Sequence, residues 1–358
     1  MEITVSPSYD LSDLAVRWME LETRADGGFF LSWQWIGSWL RATGARPLLV
    51  KAEEAGKIAA LGLLAPASRR RLLFSVNRLC LHETGRAQWD VAMIEHNNFL
   101  RARQASPDLA AAIFRALQGD PVWDEIVLGG VSPDLLNAAK ASGLAVVTDR
   151  VLPDFGVLLA GPDQPERWED NLSQSLRAQL RQSRNFAERM GPLMLKSATT
   201  PSQALEFFEK MTALHTSYWQ SRGKPGAFAT PSSLAFHREV VASEGGQGRV
   251  DLLELSAGRE VLGYLYNFQY GERAYSYQSG FSYGEDNRHR PGLLAHAMAI
   301  EQARARGIRV YDFLAGDAPY KARLGQRLGE IVWCRAQRNR PLLACERGAG
   351  RLISILRR

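Results

Sequence analysis

The chain has 358 residues, 46% of them hydrophobic and 23% charged, with a formal net charge of +6. These are globular values, so intrinsic disorder and low-complexity classes are excluded, and the length suits two domains that each bury a core. No apolar run approaches the roughly 18 residues of a membrane-crossing helix, and three cysteines without C-x-x-C spacing indicate neither a disulfide framework nor a zinc site. The opening stretch MEITVSPSYDLSD lacks the basic and apolar segments of a secretory signal, so the expected location is the cytoplasm. The positive balance favours anionic ligands.

In chain order, residues 11–24 predict an amphipathic helix and residues 32–42 a second, whose Trp35 and Trp39 lie one turn apart as a core stripe. Strands follow at PLLVKAEE, KIAALGLLAP and RLLFSVNRLCL, the first two joined by an Ala-Gly turn. The stretch WDVAMIEHNNFL, residues 89–100, is a dense polar cluster of Asp90, Glu95, His96, Asn97 and Asn98. By its residues it reads as a helix N-terminus with acidic first-turn residues and caps. Its spacing is not H-E-x-x-H, and no metal is expected. Next come a helix near 109–117, strand EIVLGG, helix SPDLLNAAKASG with Ser132 as cap and Gly143 as stop, and strand LAVVTDR. The polar stretch GPDQPERWED places a domain junction near 160, giving domains 1–160 and 161–358.

The second half repeats this order. A basic helix carries Arg177, Arg181, Arg184 and Arg189, and strand LMLKSAT and helices at 202–220 and 231–242 follow. Strands VDLLEL and VLGYLYNFQY then lead into an aromatic run ending near Phe281. Gly245, Gly246 and Gly248 read as a turn. After the polar loop EDNRHRPG, Pro291 and Gly292 open a helix with apolar residues at Leu293, Leu294, Ala297, Met298 and Ile300. Its N-terminal amides, with Arg288, His289 and Arg290 beside them, form an expected anion site. Strand RVYDFLAG and the pair Tyr320-Lys321 complete the stretch. The basic, amphipathic GRLISILRR at the end predicts a helix closing on the core, with peripheral contact to an anionic inner membrane as the other reading.

The order of strand, anion loop, helix, strand and tyrosine resembles the acyl-CoA core of the GNAT acetyltransferase superfamily. The PG-L-L helix, the DF-x-x-G strand and the YK pair are similar to the C-terminal domain of its CelD-type branch. They stand here as Pro291-Gly292-Leu293-Leu294, Asp312-Phe313-Leu314-Ala315-Gly316 and Tyr320-Lys321. FFLSWQWIGSWL, SLRAQLRQSRNFAERMG and the Ile94-Glu95-x-Asn97 run also look like that branch, so the resemblance covers most of the chain. It implies an α/β fold of two tandem GNAT-like domains, each a mixed central sheet flanked by helices, shared with the Fem-type peptidoglycan transferases. One departure stands out: the usual Q/R-x-x-G-x-G/A pyrophosphate loop keeps only its last glycine in EDNRHRPG.

The resemblance further implies an acyltransferase in which acyl-CoA is a co-substrate and no cofactor is permanently bound. The C-terminal domain takes the donor and an amine is acylated by direct attack. The acceptor class is an amino sugar, an amino acid or a long-chain amine such as a sphingoid base. Tyr320 stands where GNAT enzymes place the acid for the leaving thiolate, and Lys321 is expected to bind phosphate or the oxyanion. His215, one helical turn from Trp219 in a segment resembling the H-x-x-x-W stretch of CelD-type proteins, is the candidate base, with Asp312 orienting it or the amine. Backbone amides from Ser279 to Phe281 are expected to hold the oxyanion, and Arg288, His289, Arg290, Pro291, Gly292 and Leu293 the donor phosphates. Asp90, Glu95, Asn97 and Trp219 are expected to bind the acceptor, with Asp90 or Glu95 as the carboxylate that Fem-type proteins offer from their N-terminal domain to a substrate ammonium. An acyl carrier protein presents the same phosphopantetheine arm as CoA. The readings kept beside this one are a Fem-like transferase using aminoacyl-tRNA, hinted at by the basic helix, and a non-catalytic scaffold of an envelope-polysaccharide system.

Overall fold

The computed structural model describes residues 1–71, 74–91, 94–161, 165, 167–243 and 248–356, with 349–356 as backbone only. Part of the polar junction stretch, the turn at Gly245 and Gly246, and the side chains of the basic C-terminal segment therefore lie outside the described residues. The chain divides into two units.

Unit 1 is Met1–Leu152 with Glu330–Arg358. Its sheet runs β1 (Glu2–Ser6), β2 (Leu48–Glu54), β3 (Lys57–Arg70), β4 (Ser75–Leu81), β6 (Glu125–Val131) and β13 (Gln326–Gln337), with β5 (Leu100–Arg101) pairing β3. The first four strands are antiparallel. Ala55 and Gly56 both take left-handed backbone, φ 49° and 72°, the pair of positive values a two-residue hairpin turn demands. β4 and β6 run parallel through the crossover helix α3 (Leu109–Leu117), and β13 closes antiparallel to β6. Helices α1 (Leu11–Thr23) and α2 (Trp33–Thr43) start where Asp10 and Ser32 accept hydrogen bonds from Asp13 N and Trp35 N. Trp35 and Trp39 are buried, as core. α4 (Pro133–Ala141) begins after Ser132 as expected, although the serine side chain makes no capping bond.

The 89–100 stretch is not a helix among its described residues; it is turn and extended chain leading into β5. The reason is Asn97. The β4–β6 ladder ends at Cys80–Val127, and Asn97 occupies the place where the strands part. Its Nδ2 donates to the carbonyls of Leu81 (2.9 Å) and Gly129 (3.0 Å), its N–H donates to Gly130 O, and its Oδ1 meets His82 Nδ1 at 2.8 Å. One buried amide satisfies the polar groups that a helix would have left bare.

Unit 2 is Pro153–Gly329. Its sheet order is β7 (Ala145–Leu158), β12 (Val310–Ala315), β11 (Arg273–Phe281), β10 (Glu260–Tyr270), β9 (Val250–Ala257) and β8 (Leu193–Ser197). The helices are α5 (Gln174–Ala187) before β8, α6 (Pro201–Gln220) and α7 (Pro231–Ala242) before β9, α8 (Pro291–Ala305) between β11 and β12, and α9 (Pro319–Leu324) after β12. Proline at the first helical position opens α6, α7 and α8, with Thr200 and Thr230 capping the first two. Strands β8 to β11 are antiparallel, β11 and β12 are parallel, and β7 is antiparallel to β12.

Each unit is therefore the same sequence of elements, β-α-α-β-β-β-α-β, closed by one further antiparallel strand. That closing strand comes from the other half of the chain. β13, near the end, completes unit 1, while β7 from Pro153 onward completes unit 2. The structural division thus falls at Leu152 and Pro153 rather than at 160, and Glu330–Arg358 belongs with the first unit rather than the second.

Within unit 1, Glu125 is fully buried and accepts from Arg71 (3.0 Å), Arg78 (2.6 Å) and Gln337 (2.8 Å), with Arg335 at 3.6 Å. This joins β4, β6 and β13 with the last helix, α10 (Pro341–Leu356), because Arg71 also pairs Glu346. Replacing Glu125→Ala leaves three guanidinium groups facing one another, and the expected loss is about 3–5 kcal/mol, measurable by urea unfolding.

Candidate active site

β11 and β12 pair side by side only at Arg273–Val310, Ala274–Tyr311 and Tyr275–Asp312. Beyond Tyr275, β11 keeps its partner β10 alone. A cavity of about 440 Å³ lies at this parting, lined by Ser279 and Phe281 of β11, by Tyr283, His289 and Arg290 of the following loop, by Gly292, Leu293 and His296 of α8, and by Tyr320 of α9.

The end of β12 is a built turn. Leu314 holds φ 64°, a left-handed conformation that is costly for a residue other than glycine. Two groups of the DF-x-x-G and YK motifs hold it there. Asp312, wholly buried, accepts from Leu314 N at 2.7 Å and pairs with Arg273 at 2.7 Å. Lys321 is buried as well, and its Nζ donates to the carbonyls of Leu314 (3.0 Å) and Ala315 (2.6 Å). Neither side chain is among those lining the cavity. The expected roles of Asp312 as orienter of an amine and Lys321 as phosphate or oxyanion ligand are thus replaced by one shared role, fixing the strand end from which Tyr320 departs.

Tyr320 does face the cavity. Its ring stacks on His296 with centroids 5.3 Å apart and planes at 16°. Burial, with Tyr283 adding, pushes its hydroxyl pKa up to about 12, so it carries its proton throughout the neutral range. His296 is neutral. Burial first, and Lys321 second, push its pKa down to about 3. Its Nδ1 lies 3.4 Å from the Tyr311 hydroxyl, to which Asn267 also donates at 3.1 Å.

His215 has both ring nitrogens engaged: Nδ1 with Ser279 O at 2.9 Å, and Nε2 as acceptor from Ala227 N at 3.1 Å. Nδ1 is therefore the protonated nitrogen, and no lone pair is left to take a substrate proton. Burial lowers its pKa, which keeps the ring neutral. α6 rests directly on the strand here, because a Cβ added at Gly280 would collide with the Met211 carbonyl. His215 is better described as positioning β11 than as a base. Trp219 packs 6.0 Å from it, with Lys224 over its indole, and does not line the cavity.

In the anion loop, the three expected basic residues separate. Arg288 clamps Asp286 at 2.6 Å, lies over Phe186, and does not line the cavity. His289 and Arg290 do line it. His289 accepts from Gly284 N through Nδ1, while its Nε2 and Arg290 Nη1 are buried without a hydrogen-bond partner. Both sit at the start of α8, where the amides of Gly292 and Leu293 have no intrahelical acceptor. Pro291 is buried and shapes the turn.

Asp90, Glu95 and Asn97 lie in unit 1. Asp90 accepts from Thr84 N and Oγ1, both at 2.8 Å, Glu95 is buried, and Asn97 plugs the β4–β6 parting. Sequence reasoning missed His296, Tyr283 and Arg323 around the cavity. The first had a signal, since it stands one turn after Gly292 on the PG-L-L helix and so shares its face.

His82 (pushed to about 4), His237 and His296 (each to about 3) are buried and neutral, where an unfolded histidine titrates near 6.5. The unfolded chain thus binds more protons as pH falls below 6.5, and stability drops from there toward pH 4. Urea midpoints at pH 7 and pH 5 should show this fall, and His296→Asn should shrink it.

Residues 174–322 match the acetyltransferase (GNAT) domain family. No curated protein matches the chain. Among solved structures, FemX shares 12% identity at a TM-score of 0.59, over 96% of this chain and 99% of its own. The C-terminal domain of a putative lysylphosphatidylglycerol synthetase from Agrobacterium fabrum gives 13% and 0.55, over 92% and 93%. L-PGS from Bacillus licheniformis gives 12% and 0.54, over 96% and 97%. Among the described residues no helix is long and apolar enough to cross a membrane. With its repeated β-α-α-β-β-β-α-β order and the cavity at the β11–β12 parting, the chain has a tandem GNAT, Fem-like fold, and the part of it that matches the GNAT acetyltransferase domain family, residues 174–322, contains that cavity.

Proposed function

We propose that unit 2 transfers an acyl group from an acyl-CoA thioester to the amine of a small molecule. The observation that carries this is the content of one cavity: a proton-bearing Tyr320, a buried Arg290 Nη1 without a partner, and the N-terminus of α8. Arg290 and the α8 amides suit the diphosphate of the donor, since a guanidinium and free N–H groups both seek anionic oxygen. The pantetheine arm would then run along the β11 edge that β12 leaves, as an added strand does.

In this reading the amine nitrogen attacks the thioester carbon and forms the C–N bond. The carbonyl oxygen takes the displaced electron pair while amides of the β11 edge stabilise it. As the C–S bond breaks, the thiolate takes the Tyr320 proton, and the new amide nitrogen releases its extra proton to water. With its pKa pushed up to about 12, Tyr320 keeps a proton to give at neutral pH, the transfer to the leaving thiolate runs uphill, and the phenolate then regains a proton from water. His215 and His296 contribute by position, the first to Ser279 and the second to Tyr320.

An acyl carrier protein would present the same arm to the same cavity. The second reading, an aminoacyl-tRNA donor, is favoured by α5, whose Arg181 is exposed. Asp170 and Glu169 stand 3.7 and 3.8 Å from Arg177 and Arg184, which blunts that surface and keeps tRNA second.

Calorimetry with CoA, acetyl-CoA and a long-chain acyl-CoA tests the donor. Arg290→Gln should weaken CoA binding by about tenfold or more, the loss of a charge-assisted hydrogen bond. Arg288→Gln should change it little. Absence of CoA binding together with a salt-sensitive shift by tRNA would replace this donor with the second. With a turnover assay in hand, Tyr320→Phe should lower kcat by about 10²-fold or more with KM nearly unchanged.

A further inference from the structure

Unit 1 has a cavity of its own, about 540 Å³, at the ends of β4, β6 and β13. Its lining is divided by charge. Glu83, two residues past the end of β4, has no hydrogen bond or ion pair among the described residues, and its carboxyl lies against the backbone of Gly129. Burial, with Asp90 adding, lifts its pKa to about 8, so the acid keeps its proton for want of a cation. Asp90 beside it is raised in the same direction, again chiefly by burial, and its bonds to Thr84 only partly offset this.

The arginines of the cavity do not serve this acidic corner. Arg71, Arg78 and Arg335 converge on the buried Glu125, and Arg335 also grips Asp149 at 2.7 Å. Arg150 lies flat over Trp333 with its guanidinium carbon 3.9 Å from the ring centre. Arg69, exposed at the rim, makes no hydrogen bond or ion pair among the described residues. One cavity therefore holds a carboxyl without a cation and a guanidinium without an anion, with the Arg150–Trp333 platform also in its wall. Neither a simple anion nor a simple cation satisfies both ends.

We propose that this cavity binds a compact zwitterion, a primary ammonium and a carboxylate or phosphate joined by a short carbon stem. The ammonium would meet Glu83 and Asp90, and the anionic group Arg69. When it binds, Glu83 gives up its proton to solvent and keeps the ammonium as partner. The site does not depend on the donor cavity of unit 2, so it stands or falls apart from the acyl-CoA reading.

The test is calorimetry on the intact chain with phosphoethanolamine and β-alanine, against inorganic phosphate and ethylammonium as the two halves, at matched ionic strength. A whole zwitterion should bind at least about tenfold tighter than either half. Arg69→Gln and Glu83→Gln should each weaken it by about tenfold, while Arg290→Gln leaves it unchanged. Glu83→Gln reproduces the shape of the proton-bearing acid, so it should fold as the parent does, and a urea curve verifies this. Equal binding by the halves, no binding of either zwitterion up to about 10 mM, or loss through Arg290→Gln instead would each overturn the proposal.

Discussion

The catalytic reading of unit 2 depends on a single turn of backbone, Leu314 in the left-handed region. Holding a leucine there costs about 1–3 kcal/mol. Against this stand the carboxylate of Asp312 on Leu314 N and the ammonium of Lys321 on the next two carbonyls, charge-assisted bonds of about 1.5–3 kcal/mol each. The pin therefore outweighs the strain. It also sets direction: because Lys321 is drawn inward, its neighbour Tyr320 is turned toward His296 and the cavity. The two motif residues that look most chemical by type serve as fasteners, and Tyr320 is the one left facing the cavity.

The two units show how one topology can be left open or sealed. Both part a parallel pair after three aligned residues, β4 from β6 and β11 from β12. In unit 1 the gap is filled by Asn97, which satisfies carbonyls on both strands. In unit 2 nothing from the described chain fills it, and the side chains around it keep unpaired polar atoms at Arg290 and His289. The donor proposed above would lay its arm in this gap and its phosphates on these atoms.

Much of this was legible in the sequence. Period and punctuation located α1 to α4 and α6 to α8 within a residue or two, since proline at the first position and a preceding threonine or serine are local signals, while the end of α5 and the start of α10 were missed by several residues. The doubled element order was visible as well. The exchange of closing strands was not, because β7 reads simply as a strand, β13 is read as no element at all, and pairing is decided by residues far away in the chain. At the site, Tyr320 and Arg290 could be named from their motifs. What failed was side-chain direction. Arg288 and Arg290 are chemically alike in the sequence, yet one is captured by Asp286 two residues before it and the other is not. Lys321 and Asp312 were misjudged for the same reason, since a charged residue in a motif looks the same whether it faces a cavity or the backbone. His215 carried no sign that two backbone groups would occupy it.

The exchanged strands bear on how the molecule is made. Everything unit 2 needs, from β7 to β12, has been synthesised by Gly329. Unit 1 waits for β13 and for the Glu346 that meets Arg71. On the ribosome the later half can therefore complete its sheet first, while the earlier half stands with β6 unpaired on one side, an open strand edge of the kind that invites mispairing. Closure of the unit begun first therefore waits on residues that follow the whole of unit 2 in the chain.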